Sequence, residues 1–565
     1  MIDYKREIAQ LLSKEISELD DNEILKMVEV PPDTQMGDYA FPCFRLAKLF
    51  RKAPPLIAEE IAEQLHSELF RKIENTNGYI NFFMDKAILM EDVLKEVHKK
   101  GKEYGKTDIG KGKRVIVEYS SVNIAKPFHI GHIRSTVIGS ALNNIYKFLG
   151  YDTVSINHLG DYGTQFGKLI VAYKLWGDRE TIEKDPIPEL LRIYVKFHEE
   201  AEEKPELDDE ARGWFLKLEN EEKEAVELWQ WFRDISLKEF NRVYDMLGIE
   251  FDSFAGESFY SDKMPEVLKI MREEGIMKKS DGAEIVDLEP FGMPPALITK
   301  KDGSSLYITR DLAAAIYRKK YYDFYKNIYV VGSQQNLHFQ QWRKIIELMG
   351  YDWADDCVHV PFGMVSLEEG TMSTRKGRVV FLEEVLKKSV EKTKEIIMEK
   401  NVNADYVDEI ARQVGIGAVV FQELSNNRIK DYVFSWEKTL SFEGETGPYV
   451  QYTHARASSV LRNADQKVKT DVNYNILSEE SAFELCKLIY TFPQIVIEAA
   501  EKYEPSVITR HITDIAQGFN KFYHDKHILV EEQEIQEARI LLVNAAKQVI
   551  ANGLALLGIE APERM

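Results

Sequence analysis

Two histidines three residues apart, His129 and His132, with Gly131 between them and Lys126 just upstream, are the residues in this sequence best suited to hold a phosphate. They lie in Pro127-Phe128-His129-Ile130-Gly131-His132-Ile133-Arg134-Ser135, between an apolar β-branched run at 114–119 and an amphipathic run at 136–149. That pattern predicts a strand and then a helix whose N-terminus offers unpaired N–H groups and a positive dipole end to an anion. The spacing puts both imidazoles on one helical face, and Gly131 lets a nucleotide come close to the backbone. Taken alone, the pair fits a polar helix start or a metal pair just as well. A second loop, Glu369-Gly370-Thr371-Met372-Ser373-Thr374-Arg375-Lys376-Gly377, gathers hydroxyls and two cations between glycines, as a clamp on a polyphosphate requires. Alone, it would pass for any surface loop.

These two segments need a scaffold that brings them together. The sequence predicts a strand over 115–119, a helix over 133–149 and a strand over 153–157, then again a strand over 328–332, a helix over 337–349 and a strand over 358–365. Strands alternating with helices imply a doubly wound parallel sheet with ligands beyond the carboxyl ends of its strands. About 170 residues separate the two halves, and the stretch 188–247 is helical and highly charged, so the sheet is split by an insertion placed at about 175–290. Ahead of it, helices over 8–19 and 55–65 and an alternating strand over 78–83 form a small α/β module, joined by a Gly- and Lys-rich linker at 101–113. Behind it, helical periodicity over 406–424, 449–462, 483–503, 508–524 and 534–557 predicts a bundle. The segment Gly101-Lys102-Glu103-Tyr104-Gly105-Lys106-Thr107 imitates a phosphate-binding P-loop but is one residue short and follows no apolar strand.

At 565 residues the chain is long enough for roughly three or four domains. Its net charge of −21 favours solubility and, by itself, argues against a nucleic-acid partner. The acid is unevenly placed, however: eight carboxylates fall between Glu199 and Glu210, which reads as a solvated surface and leaves room for basic patches elsewhere. Cys43, Cys357 and Cys486 are far apart and suit reduced thiols in the cytoplasm. No run of about eighteen apolar residues predicts a membrane span.

His129-Ile130-Gly131-His132 resembles the HIGH signature of class I aminoacyl-tRNA synthetases, and Thr371 to Arg375 sits where their KMSKS signature falls. More narrowly, Val117-Glu118-Tyr119-Ser120-Ser121-Val122-Asn123-Ile124-Ala125-Lys126-Pro127, the run from Asn157 to Gly167, and Tyr307-Ile308-Thr309-Arg310-Asp311 resemble arginyl-tRNA synthetases, and the likeness continues to Met565. The resemblance implies a multidomain α/β plus α fold. Its parts would be a tRNA D-loop-contacting module at 1–105, a class I Rossmann-like catalytic domain at 106–385, a helical stem-contact connection at 386–430 and an all-α anticodon-binding bundle at 431–565. It also implies activation of L-arginine by ATP, with Mg²⁺ arriving on the ATP and no stable protein-bound metal, followed by transfer to the 3′ adenosine of tRNA(Arg). The attacking arginine carboxylate is already an anion, so positioning and charge stabilisation are what the protein must supply.

On this resemblance His129, His132, Lys126, Ser373, Arg375 and Lys376 handle the phosphates, while Phe128, Gly131, Gly332 and Met372 hold the rest of ATP. Thr371 and Thr374 stand where most class I enzymes carry lysines, and Lys126 is expected to compensate together with Lys376. Arginine binding falls to Glu118, Ser121, Asn123, Glu257, Tyr307, Asp311 and Gln335, since a guanidinium fork pairs bidentately with carboxylates, and His158, Asp161 and Gln165 line the pocket. Gln334 replaces an acid common in the family. Contacts to tRNA fall to Asn77, Tyr79, Asn81, Tyr449, Tyr452 and Met565. Three rivals remain: a small-molecule nucleotidylyltransferase, which has no use for the two outer modules; a noncatalytic tRNA-binding paralogue, which would be expected to lose His129, His132 or Asp311; and another amino-acid specificity. We expect a cytoplasmic monomer.

Overall fold

Asp3 caps the first helix with a side-chain bond from the Arg6 N–H, so that helix spans Tyr4–Ser13 and not the later 8–19 window that periodicity alone indicates. The computed structural model describes residues 1–299, 307–367, 380–399 and 406–565. Strands β1 (Tyr39–Pro42), β2 (Phe70–Thr76) and β3 (Tyr79–Met84) pair antiparallel in the order β1-β3-β2. Asn77 and Gly78, both at positive φ, make the two-residue turn that joins β2 to β3. This sheet belongs to one compact unit, made of Met1–Tyr104, Arg456–Phe492 and Asp514–Asn552. Within it the Tyr104 hydroxyl donates to the Ile489 carbonyl at 3.0 Å, and Lys487 pairs with Asp38 at 3.1 Å.

The other unit comprises Gly105–Ala455, Pro493–Thr513 and Gly553–Met565. Strand β4 (Arg114–Glu118) is apolar and almost wholly buried, and β5 (Asp152–Ile156) pairs parallel to it. The insertion folds as helices, including Pro186–Glu203, Glu206–Glu219 and Lys223–Leu247, followed by an antiparallel sheet of β6 (Met277–Ser280), β7 (Ala283–Val286) and β8 (Ala296–Thr299). Strands β9 (Lys326–Gly332) and β10 (Cys357–Phe362) complete a parallel sheet ordered β10-β9-β4-β5. Helices Ile133–Phe148 and Asn336–Leu348 are the crossovers, and they leave β4 and β9 in opposite directions along the sheet. The chain therefore opens a crevice beyond the carboxyl ends of β4 and β9.

One predicted strand is corrected. The strand over 358–365 stops at Phe362, where the Gly363 N–H turns to the Arg428 carbonyl; Val365–Leu367 (β11) then pairs instead with Tyr432–Phe434 (β12). Tyr307 opens helix Tyr307–Tyr322, in which Thr309 is fixed by its hydroxyl bond to the Ile298 carbonyl. Below the sheet, Ile116, Ile156, Leu312, Tyr329 and Trp342 share one core. Among the described residues no helix is long and apolar enough to cross a membrane.

Candidate active site

The histidine pair does not ride on an α-helix. Ile130–His132 is a 3₁₀ turn between the loop after β4 and helix Ile133–Phe148, and the two rings tilt against each other with centroids 3.9 Å apart. Nδ1 of His129 accepts the Gly131 N–H at 3.1 Å, and Nδ1 of His132 accepts the His129 N–H at 3.2 Å. Burial, with Lys126 second, pushes His129 down to about 4; burial, with His129 second, pushes His132 down to about 3. Both rings are therefore neutral at physiological pH. With Nδ1 committed as an acceptor, the ring proton sits on Nε2, so each imidazole presents one N–H donor. Phe128 packs its ring edge against His132.

The loop after β4 is strained and tightly held. Ser120, Ser121 and Ala125 all have positive φ, a conformation that costs L-residues energy and persists where surrounding bonds over-determine it. Here the Ser120 N–H donates to Ser135, the Ser120 hydroxyl meets Thr136 and Tyr244, and the Ser121 N–H donates to Asn157. Ser121 Oγ is buried without a partner among the described residues, and a buried hydroxyl left so is costly unless a ligand completes it. Asn123 bridges to Gly160, where a Cβ would lie 2.1 Å from Asn123 Oδ1; only glycine admits that approach.

Glu257 is positioned by a buried acid. Asp161 accepts from the Ser258 N–H (2.9 Å), the Ser258 hydroxyl (2.8 Å) and Arg233 Nε (3.2 Å), and a Cβ on Gly256 would lie 2.6 Å from its Oδ1. This clamps the turn that carries Glu257. Burial pushes the Glu257 carboxyl up to about 7; Asp311 and Asp161 push the same way, and Arg310 and Lys126 oppose them. Lys126 therefore acts electrostatically on both the histidine pair and Glu257.

Helix Tyr307–Tyr322 supplies the facing wall. Tyr307 is exposed at its first turn, and Asp311 accepts from His338 Nε2 at 2.5 Å. His338 is on helix Asn336–Leu348, just beyond Gly332 at the end of β9 and the exposed Gln335. Helix Tyr307–Tyr322 also sends in two buried arginines. Arg318 binds Glu118 at 2.5 Å, Tyr260 at 3.3 Å and His158 at 3.2 Å. Arg310 lies 2.8 Å from Glu257. The structure thus brings Glu118, Ser121, Asn123, Lys126, Glu257 and Asp311 to one crevice and finds Glu118 already paired. Arg310, Arg318 and His338 escaped the reading of the sequence; a cation eight residues after another on one helix was the signal for the arginines, because it places both on one face.

Met372, Ser373, Arg375 and Lys376 lie outside the described residues, as do Thr371 and Thr374. Among the described residues no group of three or more His, Cys, Asp or Glu side chains is arranged to hold a metal. Of the residues expected at tRNA, Asn77 is exposed on its turn, Tyr79 packs edge-on against Phe44, and Asn81 is buried, its Nδ2 without a partner among the described residues. Tyr449 and Tyr452 lie in helix Gly447–Asn463, with Tyr452 exposed, while Met565 packs on the cluster of Ile397, Val407 and Val414.

Three family models match the chain: "tRNA synthetases class I (R), catalytic domain" over residues 93–436, "DALR anticodon binding domain" over 450–565 and "Arginyl tRNA synthetase N terminal domain" over 6–84. The arginine--tRNA ligases of Halothermothrix orenii and Clostridioides difficile are each 63% identical over 566 residues, covering 100% of both chains. Among solved structures, the arginyl-tRNA synthetase of Thermus thermophilus matches with a TM-score of 0.80 at 25% identity, covering 100% of both chains.

Proposed function

The chain belongs to the class I arginyl-tRNA synthetases, an arginine--tRNA ligase that charges tRNA(Arg) with arginine at the expense of ATP, and on that premise we propose how its residues divide the work. An oxygen of the arginine carboxylate attacks the α-phosphorus of ATP, the bond to the β-phosphate bridging oxygen breaks, and pyrophosphate leaves with the electron pair. The Nε2–H groups of His129 and His132, with Lys126, hold the α-phosphate oxygens as charge builds there. Ser373, Arg375 and Lys376 take the β- and γ-phosphates, with Mg²⁺ entering as part of the ATP complex, and Phe128, Gly131, Gly332 and Met372 hold the nucleoside.

Ser121, Asn123, Gln335 and the remaining lone pairs of Glu118 orient the α-amino and carboxylate groups of arginine. Glu257 and Asp311 take its guanidinium against the ring of Tyr307. The terminal adenosine of tRNA(Arg) then receives the aminoacyl group through its 2′-hydroxyl. Asn77, Tyr79, Asn81, Tyr449, Tyr452 and Met565 serve tRNA, across a module at 1–105, a connection at 386–430 and a bundle at 431–565. The enzyme works as a cytoplasmic monomer. The observation that carries this reading is the histidine pair itself: Nδ1 of each ring accepts a backbone N–H, which leaves two Nε2–H donors at the start of helix Ile133–Phe148, just after the loop that carries Lys126.

Arginine-dependent ATP–pyrophosphate exchange, run with and without tRNA(Arg) and with lysine as control, tests it. Lys126→Ala is expected to lower exchange on the order of 10²- to 10³-fold, as for loss of one charge-stabilising donor. Near-normal exchange would remove Lys126 from the phosphate site.

A further inference from the structure

Arg310 carries the same functional group as the amino acid that this enzyme selects, and it is in contact with a carboxylate assigned to that amino acid. Its Nη1 lies 2.8 Å from Glu257 Oε2, and its guanidinium carbon is 5.5 Å from the ring centres of both Tyr162 and Tyr307. The residue is 8% exposed, yet among the described residues Nε and Nη1 find no aligned hydrogen-bond partner. It is a close charge contact without the parallel fork geometry that makes arginine–carboxylate pairs strong. Eight residues on, Arg318 is bonded through Nε, Nη1 and Nη2 to Tyr260, Glu118 and His158. Burial alone thus does not explain why Arg310 is left underbonded.

We propose that Arg310 is a resident stand-in for the substrate guanidinium: it occupies Glu257 and the flanking tyrosines while the pocket is empty, and yields them when arginine binds. The proposal rests on the assignment of Glu257 to the guanidinium site. Arg310 has somewhere to go. An open cleft of about 960 Å³ is lined by Tyr162, Ser258, Phe259 and Glu219, and the Glu219 carboxyl, pushed up by burial, is pulled back by the charge of Arg310. A displaced guanidinium therefore finds a second carboxylate within electrostatic range. Only a ligand that offers Glu257 more than Arg310 does can take its place. Arginine brings a planar fork and a stacking face, whereas a lysine ammonium brings a compact charge and neither. In this way Arg310 determines specificity by competing for the site, an obstacle that a cation of the wrong shape does not overcome.

Two measurements on the full-length enzyme test this. With ¹⁵N-labelled protein arginines, the Nε–H signal of Arg310, assigned by its loss in Arg310→Lys, should shift on saturation with unlabelled L-arginine while that of Arg318 stays put; an unmoved Arg310 signal overturns the proposal. By equilibrium dialysis, Arg310→Gln should reduce the ratio of arginine to lysine affinity by about tenfold, through a gain for lysine. An unchanged ratio, or a loss of arginine affinity with no gain for lysine, overturns it, and Arg310→Lys takes the same assay if the glutamine variant does not fold. Glu257→Gln separates the two levels. If it binds arginine as tightly as wild type, the assignment of Glu257 itself fails; if it weakens arginine while Arg310 stays unmoved, only the stand-in fails.

Discussion

Glu118–Arg318 and Glu257–Arg310 are two carboxylate–guanidinium pairs drawing on one helix, and they differ in how completely the guanidinium is satisfied. Arg318 has no exposed surface and bonds through all three of its nitrogens. Arg310 touches Glu257 with Nη1 but, among the described residues, Nε and Nη1 have no hydrogen-bond partner. A buried charge that loses a fully bonded partner is expensive, so the first pair is fixed as part of the wall. The second has little hydrogen bonding to lose and can exchange its cation. The same residue types thus serve as scaffold in one place and as binding site in the other, and hydrogen-bond completeness separates them better than distance or burial does.

The largest effect should come from breaking the closed pair. Arg318→Met strands Glu118 and is expected to cost about 3–5 kcal/mol of stability by denaturant unfolding, with much of the loss recovered in the Glu118→Gln/Arg318→Met double variant. A loss below about 1 kcal/mol would put both pairs in the same class.

Next comes pH. Glu257 is pushed up to about 7 by burial, and only its ionised form attracts a guanidinium. Arginine affinity should therefore fall as pH drops below about 7, by up to about tenfold per unit, and stay flat in Glu257→Gln. The sign for stability is the reverse: a raised acid favours folding below its ordinary value of 4.5 and loses that contribution as pH rises through about 7, so the unliganded Glu257→Gln enzyme should gain on wild type above it. The histidines act oppositely. Their lowered values give stability that is full above 6.5 and is lost as pH falls through about 4 for His129 and about 3 for His132.

The smallest effect sharpens the open pair. Glu219→Gln removes the second resting place of Arg310 and should weaken arginine binding by about threefold, an effect that disappears in the Arg310→Gln background. An equal loss in both backgrounds would uncouple Glu219 from Arg310.

The sheet was legible because its strands are apolar and β-branched and its crossovers carry helical periodicity, as in 114–119 followed by the run to Leu149. The histidine pair was legible as a motif but not as a geometry: a 3₁₀ turn, set by two bonds to imidazole nitrogens, leaves no mark in spacing. Asp311 and Glu257 were named because a guanidinium calls for carboxylates, yet the turn that carries Glu257 is held by Asp161 nearly a hundred residues away, a contact that no local pattern encodes. Arg310 stands inside the Tyr307–Asp311 motif, but sequence does not show which buried cation is fully bonded.

The most direct test of the account is the equilibrium binding of labelled L-arginine to Glu257→Gln, with the thermal midpoint of the same sample. The open pair predicts affinity about ten- to a hundredfold weaker than wild type, the worth of one hydrogen-bonded charge, with the midpoint not lowered. Wild-type affinity, or a midpoint that falls as far as that of Arg318→Met, would contradict it.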